Sequence, residues 1–215
     1  GDKIAGTRII PLVIEEEKMQ KACEVAGKEP IFRILPYQKK KAGIVTTGSE
    51  VYYHRIEDKF TPVVIEKLKE CGVTEVKQIR CNDDHEMITE AIQTLIEDGS
   101  DLIVCTGGMS VDPDDRTPLA IKNACTEVVT YGAPVLPGAM FMLAYCEKEG
   151  RQIPVMGLPG CVMYAKRTIF DLVLPRIMCD EKLHEKDFRL LGQGGLCLSC
   201  PVCTFPNCGF GKGGY

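Results

Sequence analysis

From Ala42 onward, short apolar runs alternate with longer stretches in which apolar residues recur at helical spacing. The run 43–47 reads as a strand, followed by a helix over 61–71 opened by Thr61-Pro62 and a strand over 75–80. A hydroxyl residue followed by Pro at the first helical position is a start signal. The clearest helix covers 84–98, where Met87, Ile88, Ala91, Ile92, Leu95 and Ile96 form one stripe read as core, and Gly99 ends it. A strand over 101–106, a helix opened by Thr117-Pro118 and a short strand over 127–130 follow. The remaining elements read as a helix around 139–147, a strand over 153–157, and a last helix over 162–178 terminating near Pro175. Strands alternating with helices predict an α/β fold, a three-layer α/β/α arrangement around a mostly parallel sheet.

Residues before 42 break this rhythm. Ile4 to Ile14 reads as extended, Glu15 to Ala26 as a helix with Met19, Ala22, Cys23 and Ala26 on one stripe, and Ile31 to Leu35 as a short strand. The basic segment Pro36 to Lys41 reads as a linker. The expected organisation is therefore 1–41 as the end of an upstream domain with its linker, 42–180 as the main domain, and 181–215 as a cysteine-rich tail.

Three glycine-bearing loops each follow an apolar run. They are Thr46-Thr47-Gly48-Ser49-Glu50, the stretch from Thr106-Gly107-Gly108 through Asp115, and Leu158-Pro159-Gly160. In an open parallel sheet such loops gather on one edge, and ligands bind in the crevice there. The second loop carries Ser110, Asp112, Asp114, Asp115 and Thr117, with a helix start at Thr117-Pro118. Exposed amides and the helix dipole at that start favour an anion. Carboxylates beside an anion repel it unless a hard cation bridges them, so the pattern points to a phosphate-bearing ligand with a divalent ion. A solvated acidic turn is the plainer explanation of the same residues.

The string from Thr106 to Pro118 resembles the signature of the molybdopterin-binding domain family, shared by molybdopterin adenylyltransferase and the third domain of molybdopterin molybdotransferase. The first reads roughly Gly-Gly-Thr-Gly-x-x-Pro-Arg-Asp-x-Thr-Pro, the second Gly-Gly-x-Ser-x-Gly-x-x-Asp. This chain carries the Ser of one and the Pro and Asp-x-Thr-Pro of the other. Thr46 to Glu50 is similar to the molybdotransferase's Thr-Gly-Asp-Glu element, and Gly157 to Gly160 to the shared Leu-Pro-Gly loop. The chain departs at Ser49, where the family has Asp, at Asp112, where one branch has Gly, and at Cys161-Val162. The resemblance implies Asp115 and Asp112 as catalytic residues, with Asp115 and Asp114 holding Mg2+. It implies a ligand cradle of Thr47, Gly48, Ser49, Glu50, Gly107, Gly108, Ser110, Thr117, Pro159 and Gly160.

Composition narrows the alternatives. A hydrophobic fraction of 45% and a charged fraction of 26% are those of a globular protein. A net charge of −4 argues against nucleic acid or an anionic membrane as partner. Eight cysteines from Cys23 to Cys179 are scattered singly and read as reduced, buried and inert, in a cytoplasmic, reducing compartment. Cys161, at the start of the last predicted helix, reads more simply as a small turn residue than as a reactive thiol. The other four cysteines, Cys197, Cys200, Cys203 and Cys208, follow one another at x2, x2 and x4 spacing, which points to one metal centre, either zinc or an iron–sulfur cluster. His54, His85 and His184 share no ligand spacing and read as surface or cap residues.

The leading expectation is a molybdopterin-binding protein of molybdenum-cofactor biosynthesis or handling. It would act on molybdopterin or its adenylylated form by nucleotidyl transfer, or insert molybdate, and would assemble as a dimer or trimer. Two alternatives stand beside it: a non-catalytic pterin- and metal-sensing module, and a nucleotide pyrophosphatase of the competence-damage-inducible type, which reuses the same fold. No Walker-type phosphate loop is present.

Overall fold

The computed structural model describes residues 5–6, 8, 10–30 and 32–212. The chain divides into two compact units, residues 1–35 and residues 36–215. In the first, α1 (Glu16–Ala26) is the one regular element among the described residues, and Gly27 ends it at φ 71 by donating its amide to the carbonyls of Cys23 and Glu24. No residue of α1 is buried, Cys23 included, so the inert, buried reading fails for that thiol. The expected strands over 4–14 and 31–35 are absent among the described residues, because an extended segment without a ladder partner forms no sheet. Ile4, Thr7, Ile9 and Ile31 lie outside the described residues.

The second unit is built on six strands, β1 (Lys41–Thr47), β2 (Glu75–Cys81), β3 (Leu102–Thr106), β4 (Glu127–Tyr131), β5 (Met142–Lys148) and β6 (Arg151–Leu158). They lie in the order β2-β1-β3-β6-β5-β4. The pairs β1–β2, β1–β3 and β3–β6 are parallel, while β5 runs antiparallel to both its neighbours. The helices are α2 (Ser49–Tyr52), α3 (Phe60–Glu70), α4 (His85–Glu97), α5 (Thr117–Ala124), α6 (Ile169–Met178) and α7 (Glu185–Leu191).

Strand side chains alternate between two cores. On one face Ile44, Leu102, Val104, Leu143, Met156 and Leu158 pack with Leu68 of α3 and Phe170 and Leu174 of α6. On the other, Val45, Ile103, Cys105, Ala144 and Val155 pack with Ile88, Ile92 and Leu95 of α4 and Ile121 of α5. Burying each large side chain contributes roughly 1.5–3 kcal/mol, so covering both faces is what holds the sheet. Gly43 lets α4 approach, since a Cβ there would stand 2.7 Å from Ile103 Cδ1 and 2.9 Å from Leu95 Cδ1. The α4 stripe is core as expected except for Met87, which is 36% exposed and whose sulfur receives the amide of Asn82.

The helix expected around 139–147 is instead β5. Its residues Met142 to Cys146 are buried on both faces between β4 and β6, and a fully apolar run satisfies either period. The decisive local signal is Glu149-Gly150: both have positive φ (52° and 76°) and join the paired residues Lys148 and Arg151 as a two-residue hairpin turn. The last helix also differs. A 3-10 turn (Gly160–Met163) comes first, then α6 starts at a capping box in which Thr168 and Asp171 serve each other's amides. The helix runs through Pro175 to Met178 rather than ending there. Its apolar face, Val173, Leu174, Ile177 and Met178, is buried on both sides of the proline, and that burial outweighs one lost amide bond.

Neither Thr-Pro pair caps its helix. In α3 the carboxylate of Asp58 receives the amides of Phe60 (3.0 Å) and Thr61 (2.9 Å). This leaves the hydroxyls of Thr61 and Thr117 to turn back toward the ends of the strands.

Candidate active site

The three predicted loops do converge on one sheet edge, because β1, β3 and β6 are adjacent, parallel and in register there. Thr46 pairs with Thr106, and Thr106 with Leu158. The parallel register also brings the end of β2 alongside, with Thr47 opposite Cys81. Between the loops lies a crevice of about 600 Å3, lined among others by Thr46, Thr47, Asp58, Thr106, Gly107 and Met163.

Two threonine clasps frame its floor. On one face of the sheet Thr46 Oγ1 stands 2.9 Å from Thr61 Oγ1, and Gln78 donates its amide nitrogen to both hydroxyls and to Asp58. On the other face Thr47 Oγ1 stands 3.2 Å from Thr117 Oγ1, which donates to the carbonyl of Gly107 at 2.9 Å. Burial pushes the Asp58 carboxyl upward, but the hydrogen bonds from Thr61, Gln78 and the Phe60 amide outweigh it and hold it below its ordinary range. Thr106 lies between the clasps, 1% exposed, and its hydroxyl has no hydrogen-bond partner. A buried polar group left unmatched in this way costs about 1–3 kcal/mol and asks for an explanation.

The glycine pair of the second loop is there for close approach. A Cβ on Gly107 (φ +88) would sit 2.4 Å from the carbonyl oxygen of Thr47, and one on Gly108 (φ +55) 2.8 Å from Thr117 Oγ1. Gly108 thus makes room for Thr117. Gly48 (φ +130) and Gly160 face open space. Ser49, at the start of α2, gives its hydroxyl to Asn82 (2.6 Å) and Asp83 (2.8 Å), and its amide also reaches Asp83 at 2.8 Å. The carbonyl of Glu50 receives the amides of Arg55 and Ile56, closing the turn after α2, and its side chain is exposed.

In the acidic loop one oxygen of Asp115 accepts both the amide (2.6 Å) and the hydroxyl (2.8 Å) of Ser110. Asp112 accepts the amide of Asp114 at 3.0 Å. Asp112 and Asp114 are exposed, Asp115 half-buried. Tyr131 donates its hydroxyl to the Ser110 carbonyl at 3.4 Å, and burial together with the nearby Asp115 charge raises its pKa. Among the described residues no three His, Cys, Asp or Glu side chains gather as a metal-binding group, so these aspartates do not form a cage by themselves. Pro159 is buried and leads into the 3-10 turn whose Met163 closes one side of the crevice. Burial is the largest influence on the Cys161 thiol and pushes its pKa up, against a reactive role.

The structure therefore gathers Thr47 and Gly107 at the crevice and bonds Thr117 to both, while Ser49 is bonded to Asn82 and Asp83 beyond the end of β2. It sets the acidic loop beyond Gly107. Sequence reasoning placed Thr46 and Thr106 in its loops but not in its cradle, and missed Asp58 at the crevice, Gln78 as the partner of Thr46, Thr61 and Asp58, and Asn82 and Asp83 as the partners of Ser49. The signal for the last two was the end of β2, which a parallel sheet places beside the end of β1.

The family described as probable molybdopterin binding domain matches residues 43–178. The chain belongs to this family. Its matched span runs from the start of β1 to the end of α6, the part that builds the crevice. A CinA-like protein of Mycobacterium sp. (strain MCS) is 35% identical over 85 residues, 40% of this chain and 20% of that protein. The chain thus spans about a fifth of the length of the curated relatives it matches. Two of the solved structures that share the fold of this domain illustrate the likeness. They are the tungsten cofactor synthesizing protein MoaB of Pyrococcus furiosus (19% identity, TM-score 0.54, 68% of this chain and 99% of that one) and a CinA protein of Thermoplasma acidophilum (16%, 0.50, 65% and 98%). Among the described residues no helix is long and apolar enough to cross a membrane.

Proposed function

We propose that the crevice beyond β1, β3 and β6 binds molybdopterin or its adenylylated form, and that the protein works in molybdenum-cofactor assembly or handling in the cytoplasm. The observation that carries this reading is the buried, unpartnered hydroxyl of Thr106 on a crevice floor already lined by Thr46 and Thr47. A phosphate or pterin edge seated there would supply the missing partner. Gly107 lines the same rim, and the Thr117 hydroxyl that bonds its carbonyl keeps the start of α5 beside it, where a phosphate would gain from the helix dipole.

Mg2+ fits this reading without a protein cage. It usually binds through one or two carboxylates, with substrate phosphate and water completing its shell. Asp115, with Asp112 or Asp114, would hold the ion against the ligand phosphate and neutralise charge that develops in nucleotidyl transfer or molybdate insertion. Asp115 is already oriented by Ser110 for this task. Assembly as a dimer or trimer belongs to the same proposal and is read by light scattering.

Calorimetry with molybdopterin, with and without Mg2+, is the test. Thr106→Val should leave stability unchanged or slightly raised, since the hydroxyl has no partner to lose, while affinity falls about fivefold to tenfold, the worth of one hydrogen bond. Asp115→Asn should abolish the Mg2+-dependent part of binding and keep the fold. Unchanged affinity in both variants would defeat the proposal. A second reading, nucleotide pyrophosphatase chemistry, is favoured by the CinA-like relatives. Tight binding and hydrolysis of ADP-ribose, with no affinity for either pterin, would establish it instead.

A further inference from the structure

The C-terminal loop encloses a second hollow, of about 310 Å3, that shares no lining residue with the crevice. Its neck is a backbone clamp. The amide of Gly195 donates to Gly209 at 2.8 Å, and that of Gly211 to the Gly195 carbonyl at 3.0 Å. No side chain fits at the neck, for a Cβ on Gly194 would lie 2.6 Å from the backbone of Gly211. The loop is anchored as well as closed. Phe210 is 2% exposed within the core that contains α6, and the amide of Cys197 reaches the carbonyl of Leu136 at 3.1 Å.

All four cysteines of the loop, Cys197, Cys200, Cys203 and Cys208, line this one hollow as free thiols. The room in the hollow, about 310 Å3, favours a body larger than one ion. Around a single zinc ion, Zn–S bonds of about 2.3 Å bring the four sulfurs to within ~3.8 Å of one another. A four-iron cluster places each cysteine on a different iron, so its ligands stand apart around a bulkier body. Arg167 completes the setting. It lines the same hollow, lies 5.0 Å from the Phe205 ring centre, and is held by Asp171 (2.8 Å) and Glu70 (3.1 Å). A fixed cation there offsets the negative charge of a cluster with four thiolates.

We propose that this hollow binds a four-iron iron–sulfur cluster through Cys197, Cys200, Cys203 and Cys208. A preformed cluster enters by ligand exchange: each thiol transfers its proton to a departing thiolate, and no electron moves. The test is anaerobic purification of the full chain, with reconstitution from iron and sulfide, followed by metal and acid-labile sulfide analysis. The expected result is about four irons and four sulfides per chain, with visible absorbance bleached by dithionite. Cys200→Ser and Cys203→Ser change exposed positions and should each lose most of the iron with the unfolding temperature of the apo-protein unchanged. Cys23→Ser, outside the loop, should keep all of it. Zinc at about one equivalent without sulfide, or metal below about a tenth of an equivalent, would overturn the proposal. Either result leaves the pterin reading untouched.

Discussion

The crevice and the cysteine hollow are both built from loops, yet they are held in different ways. At the crevice, each loop leaves a strand that is buried and hydrogen-bonded on both sides, so sheet register fixes where it starts. Threonine clasps and the Gly107 contact then lock neighbouring loops together. The cysteine hollow lies in residues after α7 with no helix or strand. It depends on a glycine clamp, one aromatic anchor and the side chain of Arg167. A site on strand ends inherits its geometry from the whole sheet. A site in a terminal loop must carry its own.

Asp171 tests that contrast most severely, because it ties Arg167, which lines the hollow, to α3, the helix whose Thr61 serves the crevice. Its carboxylate is buried with Lys67 of α3 (2.6 Å) and Arg167, and it also receives the Thr168 amide. Asp171→Ala strands Lys67 in the interior and frees Arg167. Unfolding in denaturant should show a loss of about 3–5 kcal/mol, with the loop disturbed as well.

Phe210→Ala would separate the two regions. A cavity at this core position costs about 3–4 kcal/mol. Iron uptake by the loop should fall while affinity of the crevice for molybdopterin stays within about twofold, since Phe210 lines only the hollow. An equal loss at both sites would show that the regions are one cooperative unit.

Gly107→Ala acts in the other direction. The added methyl meets the Thr47 carbonyl at 2.4 Å in a left-handed backbone, so stability should fall by about 2–3 kcal/mol. Crevice binding should be lost and cluster content kept, as measured by calorimetry and iron analysis on the same preparation.

The smallest effect concerns pH. The Asp58 carboxyl is lowered from its ordinary 3.8, so its contribution to stability is complete above that value and fades as pH falls through the lower folded-state pKa. Wild type should therefore exceed Asp58→Asn in stability at neutral pH. The gap should shrink in acid, below 3.8, as followed by denaturant midpoints. A gap that widens in acid would show that Asp58 is not held as a carboxylate.

The edge of the sheet that holds the crevice was legible, because a parallel sheet assigns the ends of its strands in advance, though of the predicted cradle Thr47 and Gly107 line it. Gly107, Gly108 and Thr117 follow a strand and open a helix, so their place on one edge needs no knowledge of distant contacts. Thr106 opened the second loop yet was left out of the cradle for the opposite reason: at a strand end a β-branched hydroxyl residue reads as pairing material, and only packing reveals that its oxygen lacks a partner. β5 was misread because an apolar run carries no period, while the Glu149-Gly150 turn beside it did. In the tail, cysteine spacing announced a shared site but not the buried Phe210 or the neighbouring Arg167, which lies far from the cysteines in sequence.

By itself the sequence determined most of the alternation of strands and helices, the family, and the set of loops that meet at one sheet edge. Each of these rests on local pattern: side-chain period, helix-start residues and glycines at tight turns. The tertiary structure decided which faces are buried and that both Thr-Pro hydroxyls serve the crevice rather than cap a helix. It also decided that Asp171 joins α3 to α6 and holds Arg167 beside the cysteine loop. Those outcomes depend on which elements lie beside one another, and that is set by burial and pairing summed over the whole chain.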